Sequence, residues 1–211
     1  MNEFIAARWQ DILFRSYQHA SLVIQSVAVA LVIALIIAIF VAQRPRGAAI
    51  ANALTSIGLT LPSLSLLGLA IPLLGIGTIP SVVLVVFYAV LPILRNAIVG
   101  LHNVSDDVIE SARGQGMSST AILFRIRLPL AWPVIMTGIR VSTQMSMGVA
   151  AIAAYALGPG LGGYIYSGLS QIGGTNALNF TLVGTIGVVI IALIVDAILA
   201  GIQKLTTPKG I

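Results

Sequence analysis

Charge is scarce in this chain and unevenly placed. Of 17 charged residues, 11 basic and 6 acidic, six fall between Asp106 and Arg127. Asp106, Asp107 and Glu110 can share one side of a short helix, with Arg113 close by. Such a cluster suits a docking face for another protein. No nucleophile stands beside a base in the pattern of a covalent catalyst, so nothing argues for an enzyme. His19 and His102 are isolated, and with no Cys metal binding has no support. Gly158-Pro159-Gly160-Leu161-Gly162-Gly163 formally fits G-x-G-x-x-G, but it follows an apolar run with no βαβ unit around it. It reads as a turn.

The charged stretch predicts two short helices. Ser105 can cap the first, with Asp106 and Asp107 in the opening turn, where the helix dipole favours acids. Gly114 and Gly116 end it. Ser118 or Ser119 restarts a helix through Ile122, Leu123 and Phe124, which is expected to stop at Pro129. The result is an amphipathic helix-turn-helix, held at both ends by long apolar runs.

Those runs define the solvent. The chain is 58% hydrophobic and 8% charged, with a mean hydropathy of +1.04, against about 25% charged in an average soluble domain. Too few polar residues exist to cover a soluble surface, so lipid must cover part of it. Residues 16–43, 47–94 and 141–195 carry no Asp, Glu, Lys or Arg. A crossing needs roughly 20 apolar residues for a core of about 30 Å. The Leu22–Ala42 run exceeds the ~7–15 residues of a secretory h-region and reads as a retained span. Turns at 75–80 and 157–180 divide the longer runs, predicting five helices near 22–42, 49–74, 81–101, 133–156 and 181–203. A short re-entrant piece within 157–180 stays open.

Charge orients the five. With Arg44 and Arg46 in the cytoplasm, Arg95, Arg113, Arg125, Arg127, Arg140, Lys204 and Lys209 fall on or near the same side. Only Arg8 and Arg15 lie outside, in agreement with the positive-inside rule. Residues 1–20 are then expected to be an outer N-terminal segment, 21–205 a multi-pass domain and 206–211 a cytoplasmic tail. The sequence pI of about 10.1 follows from this topology and needs no nucleic-acid partner.

In the fourth span, Gly138, Ser142, Ser146, Ala150, Ala154 and Gly158 place a small residue at every fourth position. Ala/Gly-rich composition could produce this. As a device it would let helices approach closely, and it is expected at a subunit interface or along a transport path. Arg140 and Asp196 lie near span ends, where snorkelling suffices, and Asn96 suits a helix-to-helix hydrogen bond. The 13 aromatic residues form no cluster within the spans.

Glu110-Ser111-Ala112, three residues, Gly116, nine residues, then Ile126-Arg127-Leu128-Pro129 resembles the EAA loop of ABC importer permeases. Every fixed spacing matches, with Ser111 where the second Ala usually stands. Thr60-Leu61-Pro62-Ser63-Leu64, Ile71-Pro72-Leu73-Leu74-Gly75-Ile76-Gly77, Leu91-Pro92-Ile93-Leu94-Arg95-Asn96, Thr137-Gly138-Ile139-Arg140 and Leu205-Thr206-Thr207-Pro208-Lys209-Gly210 look like the osmoprotectant branch. Pro159 departs from that branch's usual Gly-rich outer loop. The resemblance implies an all-α membrane fold of the type I importer class, with Glu110, Ser111, Ala112, Gly116, Ile126 and Pro129 in an ATPase-docking coupling loop. It also implies a second permease, identical or similar, an external binding protein, and a partner ATPase carrying the ATP and Mg. This chain itself would carry no cofactor. The solute implied is glycine betaine, choline, carnitine or proline, with methionine or another amino acid as the alternative. An ion-coupled secondary transporter would instead place ionisable residues at the membrane midplane.

Overall fold

The computed structural model describes residues 1–207; of the expected 206–211 tail, Pro208-Lys209-Gly210 and Ile211 lie outside them. Residues 2–21 contain neither Gly nor Pro, so nothing upstream of the first apolar run interrupts a helix. Accordingly α1 (Asn2–Val41) is continuous over 40 residues. At 1.5 Å per residue it is about 60 Å long, twice the ~30 Å hydrocarbon core. Residues 1–20, expected as a separate segment, are therefore mostly the first half of that helix.

The span expected at 49–74 is broken. It consists of α2 (Pro45–Thr60) and α3 (Ser63–Leu74), bent by 93°. Pro62 is the cause, since proline forces the preceding residue out of the helical region. Leu61 sits at φ −68°, ψ 130°. After a Gly75–Gly77 corner comes α4 (Thr78–His102), followed by α5 (Asp106–Gly114) and α6 (Ser119–Ile122). Next are α7 (Leu128–Ile152), a short α8 (Gly162–Ser170) and α9 (Ala177–Thr206). Four stretches are long and apolar enough to cross a membrane: α1, α4, Ser119–Ala156 and α9; the bent pair makes a fifth. At nine residues, or about 14 Å, α8 is too short to cross.

The bundle is organised around α4, which packs on α7 and α1. Ala30, Ala34 and Ala38 of α1, Val85, Ala89, Ile93 and Ala97 of α4, and Ile135 of α7 are fully buried. Conversely, α9 leaves Ile190, Leu193, Ile194 and Ile198 exposed, as suits a helix facing lipid.

The small-residue stripe of α7 is filled by α4 of the same chain. A Cβ at Gly138 would lie 2.7 Å from Asn96 Cβ and 3.1 Å from the Pro92 carbonyl oxygen. Ser142 Oγ donates to the Ala89 carbonyl at 2.8 Å. Ser146, Ala150 and Ala154 are buried, and a side chain at Gly158 would collide with the Ser81 hydroxyl. That face is thus closed to a second subunit or a solute, against the expectation. Asn96 likewise donates within its own helix, to the Pro92 carbonyl at 2.9 Å, and not across to a neighbour. Gly138→Leu and Ala150→Leu are each expected to destabilise the isolated chain in detergent by about 1–3 kcal/mol, the usual cost of overpacking. A thermal unfolding midpoint unchanged by both substitutions would contradict intrachain packing of the stripe.

Candidate functional site

The charged stretch folds as a small module with its own core. Ile109 and Ala112 of α5 pack with Val104 and Ile122, flanked by Met117, Ile126 and Leu130. Glu110 and Ser111, between the two buried positions, face outward. Ser105 occupies the N-cap position of α5 without a side-chain capping bond. Gly116 turns the chain at φ +81°, a left-handed conformation that glycine adopts without steric cost. There the Met117 amide donates back to the Ala112 carbonyl at 3.1 Å, satisfying an end of the helix. Ser118 then caps α6, accepting from the Ala121 amide at 3.2 Å.

The helix does not stop at Pro129. Leu123–Arg127 forms a π-helical turn, in which the Leu128 amide donates to the Leu123 carbonyl five residues back. Proline lacks an amide hydrogen and crowds the carbonyl four residues earlier, and one wider turn relieves that crowding. The helix therefore runs unbroken from Ser119 to Ala156. A load applied to the loop is carried directly into the α7 span.

Asp107, Val108, Ser111, Ala112, Gln115, Met117 and Ile126 line a shallow depression of about 350 Å³. Of the expected docking residues, Ser111, Ala112 and Ile126 line it. Glu110 and Gly116 are exposed beside it, and Pro129 is half-buried in the helix below. Asp106, Asp107, Glu110 and Arg113 form no ion pair among the described residues. Their charges are free for a partner. No group of three or more His, Asp or Glu among those residues could hold a metal.

Two ionic ties escaped the sequence reading. Arg140 grips Asp196 in a bidentate pair, Nε and Nη2 each donating at 2.9 Å. Arg140 Nη1 also donates to Gln203 Oε1 at 3.2 Å, and Gln203 Nε2 donates to the Pro133 carbonyl at 3.2 Å. Together with the Trp132–Thr206 hydrogen bond at 2.8 Å, this network fastens α9 to α7. At the opposite end of the bundle, Asp11 accepts from Arg15 at 2.9 Å and from the Tyr164 hydroxyl at 2.7 Å. Phe4, Tyr164 and Phe180 cluster there edge to face or tilted, with Arg8 over the Phe4 ring. The fold thus builds an aromatic cluster that the sequence does not display. Asp11 and Arg15, four apart, were legible as a helical pair; Tyr164 was not.

Burial raises the Asp11 pKa, but hydrogen bonds from Tyr164 and Arg15 outweigh it and hold the carboxyl below its ordinary 3.8. Burial, then the bond to Asp11, pushes Tyr164 up to about 12. A depressed carboxyl pKa means this clasp is at full strength above the ordinary carboxylate range and weakens as pH falls through the depressed value. Because Asp11 is half exposed, the clasp is worth about 1 kcal/mol. Tyr164→Phe is expected to lower the amide-exchange protection factors of residues 2–15 a few-fold at neutral pH; the unsubstituted chain should approach that lower protection only in acid, once rates are referred to the intrinsic exchange rate at each pH. For the other tie, Arg140→Gln strands a carboxylate within a span. Its unfolding midpoint should fall below that of Arg140→Gln/Asp196→Asn; equal midpoints would show that the pair is not coupled.

The family described as "Binding-protein-dependent transport system inner membrane component" matches residues 15–207. Choline transport system permease protein OpuBB of Bacillus subtilis (strain 168) is 35% identical over 208 residues, covering 99% of this chain and 94% of that protein. The same organism's glycine betaine/carnitine/choline transport system permease protein OpuCB is 35% identical, covering 100% and 95%. A solved inward-facing structure of the MetNI methionine ABC transporter superposes with a TM-score of 0.79 over 93% of this chain and 96% of that one. Its 22% identity speaks to the fold alone. In length, in fold and in sequence along nearly its whole extent, this chain belongs to the family of binding-protein-dependent transport system inner membrane components.

Proposed function

We propose that this chain is the membrane-spanning subunit of an ATP-driven importer of compatible solutes, with glycine betaine, choline, carnitine or proline as cargo. The observation that carries the mechanism is the loop at the basic end of the bundle. Its acids are unpaired among the described residues, and it is continuous through a π turn with the α7 span. An ATPase subunit that takes up Glu110 and the Ser111–Ala112 surface can therefore move α7 directly. Through the Arg140–Asp196 pair it would move α9 as well.

The excess of arginines at that end supports a cytoplasmic loop, with the Asp11–Tyr164 end outside. An external binding protein then meets the outer end, and a second permease completes the path. ATP and Mg belong to the partner ATPase, and this chain contributes no hydrolytic group. The solute follows the names of the relatives at 35% identity. Methionine rests on fold likeness alone.

The test is reconstitution with the ATPase and binding protein in proteoliposomes, reading uptake of labelled glycine betaine. Glu110 is exposed, so Glu110→Arg should fold normally yet reduce uptake about tenfold or more, as expected when one partner of an interfacial charge contact is reversed. Undiminished uptake by this variant would overturn the docking assignment. Uptake driven by a proton gradient without ATP would overturn the importer reading and leave the Arg140–Asp196 pair as the candidate ion-coupling site.

A further inference from the structure

The break between α2 and α3 lies level with the middle of α4, a helix long and apolar enough to cross a membrane. The Tyr88 hydroxyl donates to the Leu61 carbonyl, which pins the break beside the middle of α4. Tyr88 stands ten residues after Thr78 and fourteen before His102, or about 15 Å and 21 Å from the two ends of that helix. Tyr88 is itself buried, so the depth of the break is held from behind.

Pro62 leaves backbone groups without partners at this depth. Among the described residues, no backbone donor reaches the carbonyls of Leu59 or Thr60. The amides of Ser63, Leu64 and Ser65 find no backbone acceptor either. Thr60, Leu61, Pro62, Leu64 and Ser65 are exposed in the single chain, and Ser63 is half-buried. Hydrocarbon cannot satisfy such groups, and irregular backbone at this depth persists only inside protein or beside water.

The exposed surface of α2 distinguishes these two settings. One side is an apolar ridge of Ile50, Leu54 and Ile57, suited to lipid or to a packed neighbour. The adjoining strip is Ala49, Ala53, Ser56 and Thr60, all exposed, and it runs from the basic end up to the break. Asn52, two turns below Thr60 on the flank of that strip, has its Oδ1 shut off from solvent with no donor. By contrast, the exposed side of α9 is apolar throughout Ile190, Leu193, Ile194 and Ile198.

We propose that the break at Leu61–Pro62 lines the solute path midway across the membrane, and that Thr60, Ser63 and Ser65 are specificity-determining groups that a passing solute meets. The break offers hydroxyls, carbonyls and amides but no charge. Such a site suits a small zwitterion or neutral polar solute that must bind weakly enough to leave. The assignment rests on the permease reading above but not on any one solute.

The chain has no Cys, so single thiols can report their surroundings without background. Thr60→Cys, Ser63→Cys and Ser65→Cys are compared with Leu193→Cys on the lipid face, each in the assembled transporter with its ATPase and binding protein. The probe is a charged, membrane-impermeant methanethiosulfonate, and labelling after denaturation confirms that each thiol is present and free. The break positions should react roughly tenfold faster than Leu193→Cys or more, because the reactive thiolate needs water, and addition of ATP should change their rates. Reaction no faster than at Leu193→Cys would overturn the proposal, as would Thr60→Cys forming a disulfide between two permeases while resisting the probe. Three separate break positions keep the test intact if one substitution fails to fold. Labelling requires no solute: labelling as expected without glycine betaine uptake would refute only the choice of solute.

Discussion

Hydrocarbon offers no hydrogen bonds, so every amide and carbonyl that a span carries into the membrane must be satisfied by the protein itself. Prolines test that constraint most severely, and four of those in or beside the spans show how this chain meets it. At Pro129 a π turn widens the helix and keeps it continuous. Pro92 is followed by Asn96, whose amide caps the Pro92 carbonyl. The Pro133 carbonyl accepts from both Thr137 and Gln203. Only at Pro62 does the helix give way, and there Tyr88 takes one freed carbonyl while the others stay open. The same rule that keeps α4 and α7 continuous leaves the α2–α3 corner with open backbone groups.

Close approach supplies what the hydrophobic effect cannot supply between helices in lipid. Gly138, Ser142 and Ala150 let α7 settle against α4, and Ala30, Ala34 and Ala38 line the buried face of α1. The three helices form a tight block. Outside it, α9 is attached by fewer contacts, of which the Arg140–Asp196 pair is the most directional. The charged loop is continuous with this block through α7, and the bent α2–α3 pair rests against α4.

The far end of the molecule is held by different chemistry. There α1 extends well past the apolar run, and its Phe4, Arg8, Asp11 and Arg15 close over Tyr164 and Phe180. Aromatic faces and a shared carboxylate tie α1 to the short α8 and to the start of α9. His19, fully buried, adds a hydrogen bond to the Met147 carbonyl at 3.2 Å just inside this clasp. The two ends thus differ in kind: free charges for a partner at one, internally satisfied charges at the other.

Much of this was legible without a structure. Composition placed the chain in lipid, the uncharged runs predicted five crossings where the structure has four long helices and a bent pair, and charge spacing isolated the loop. Gly116 announced its turn, and Ser118 or Ser119 the start of its second helix, which Ser118 caps. These signals are local, or they sum along the chain, so they survive in one dimension. Other features depend on which helix faces meet and at what depth. Arg140 and Asp196 are 56 positions apart, and Asp11 and Tyr164 are 153 apart; nothing local pairs them. The small-residue stripe was visible as a periodicity, but the helix that fills it was not. Pro62 sits within a motif that gives no sign of a severed span, and the level of the break is set by Tyr88 on another helix. The sequence alone determined the apolar solvent, the runs long enough to cross it and the isolation of the charged loop, because local sterics and charge act over a few residues. Tertiary structure decided the buried pairs and the open corner, because these depend on the rotation and depth of one helix against another.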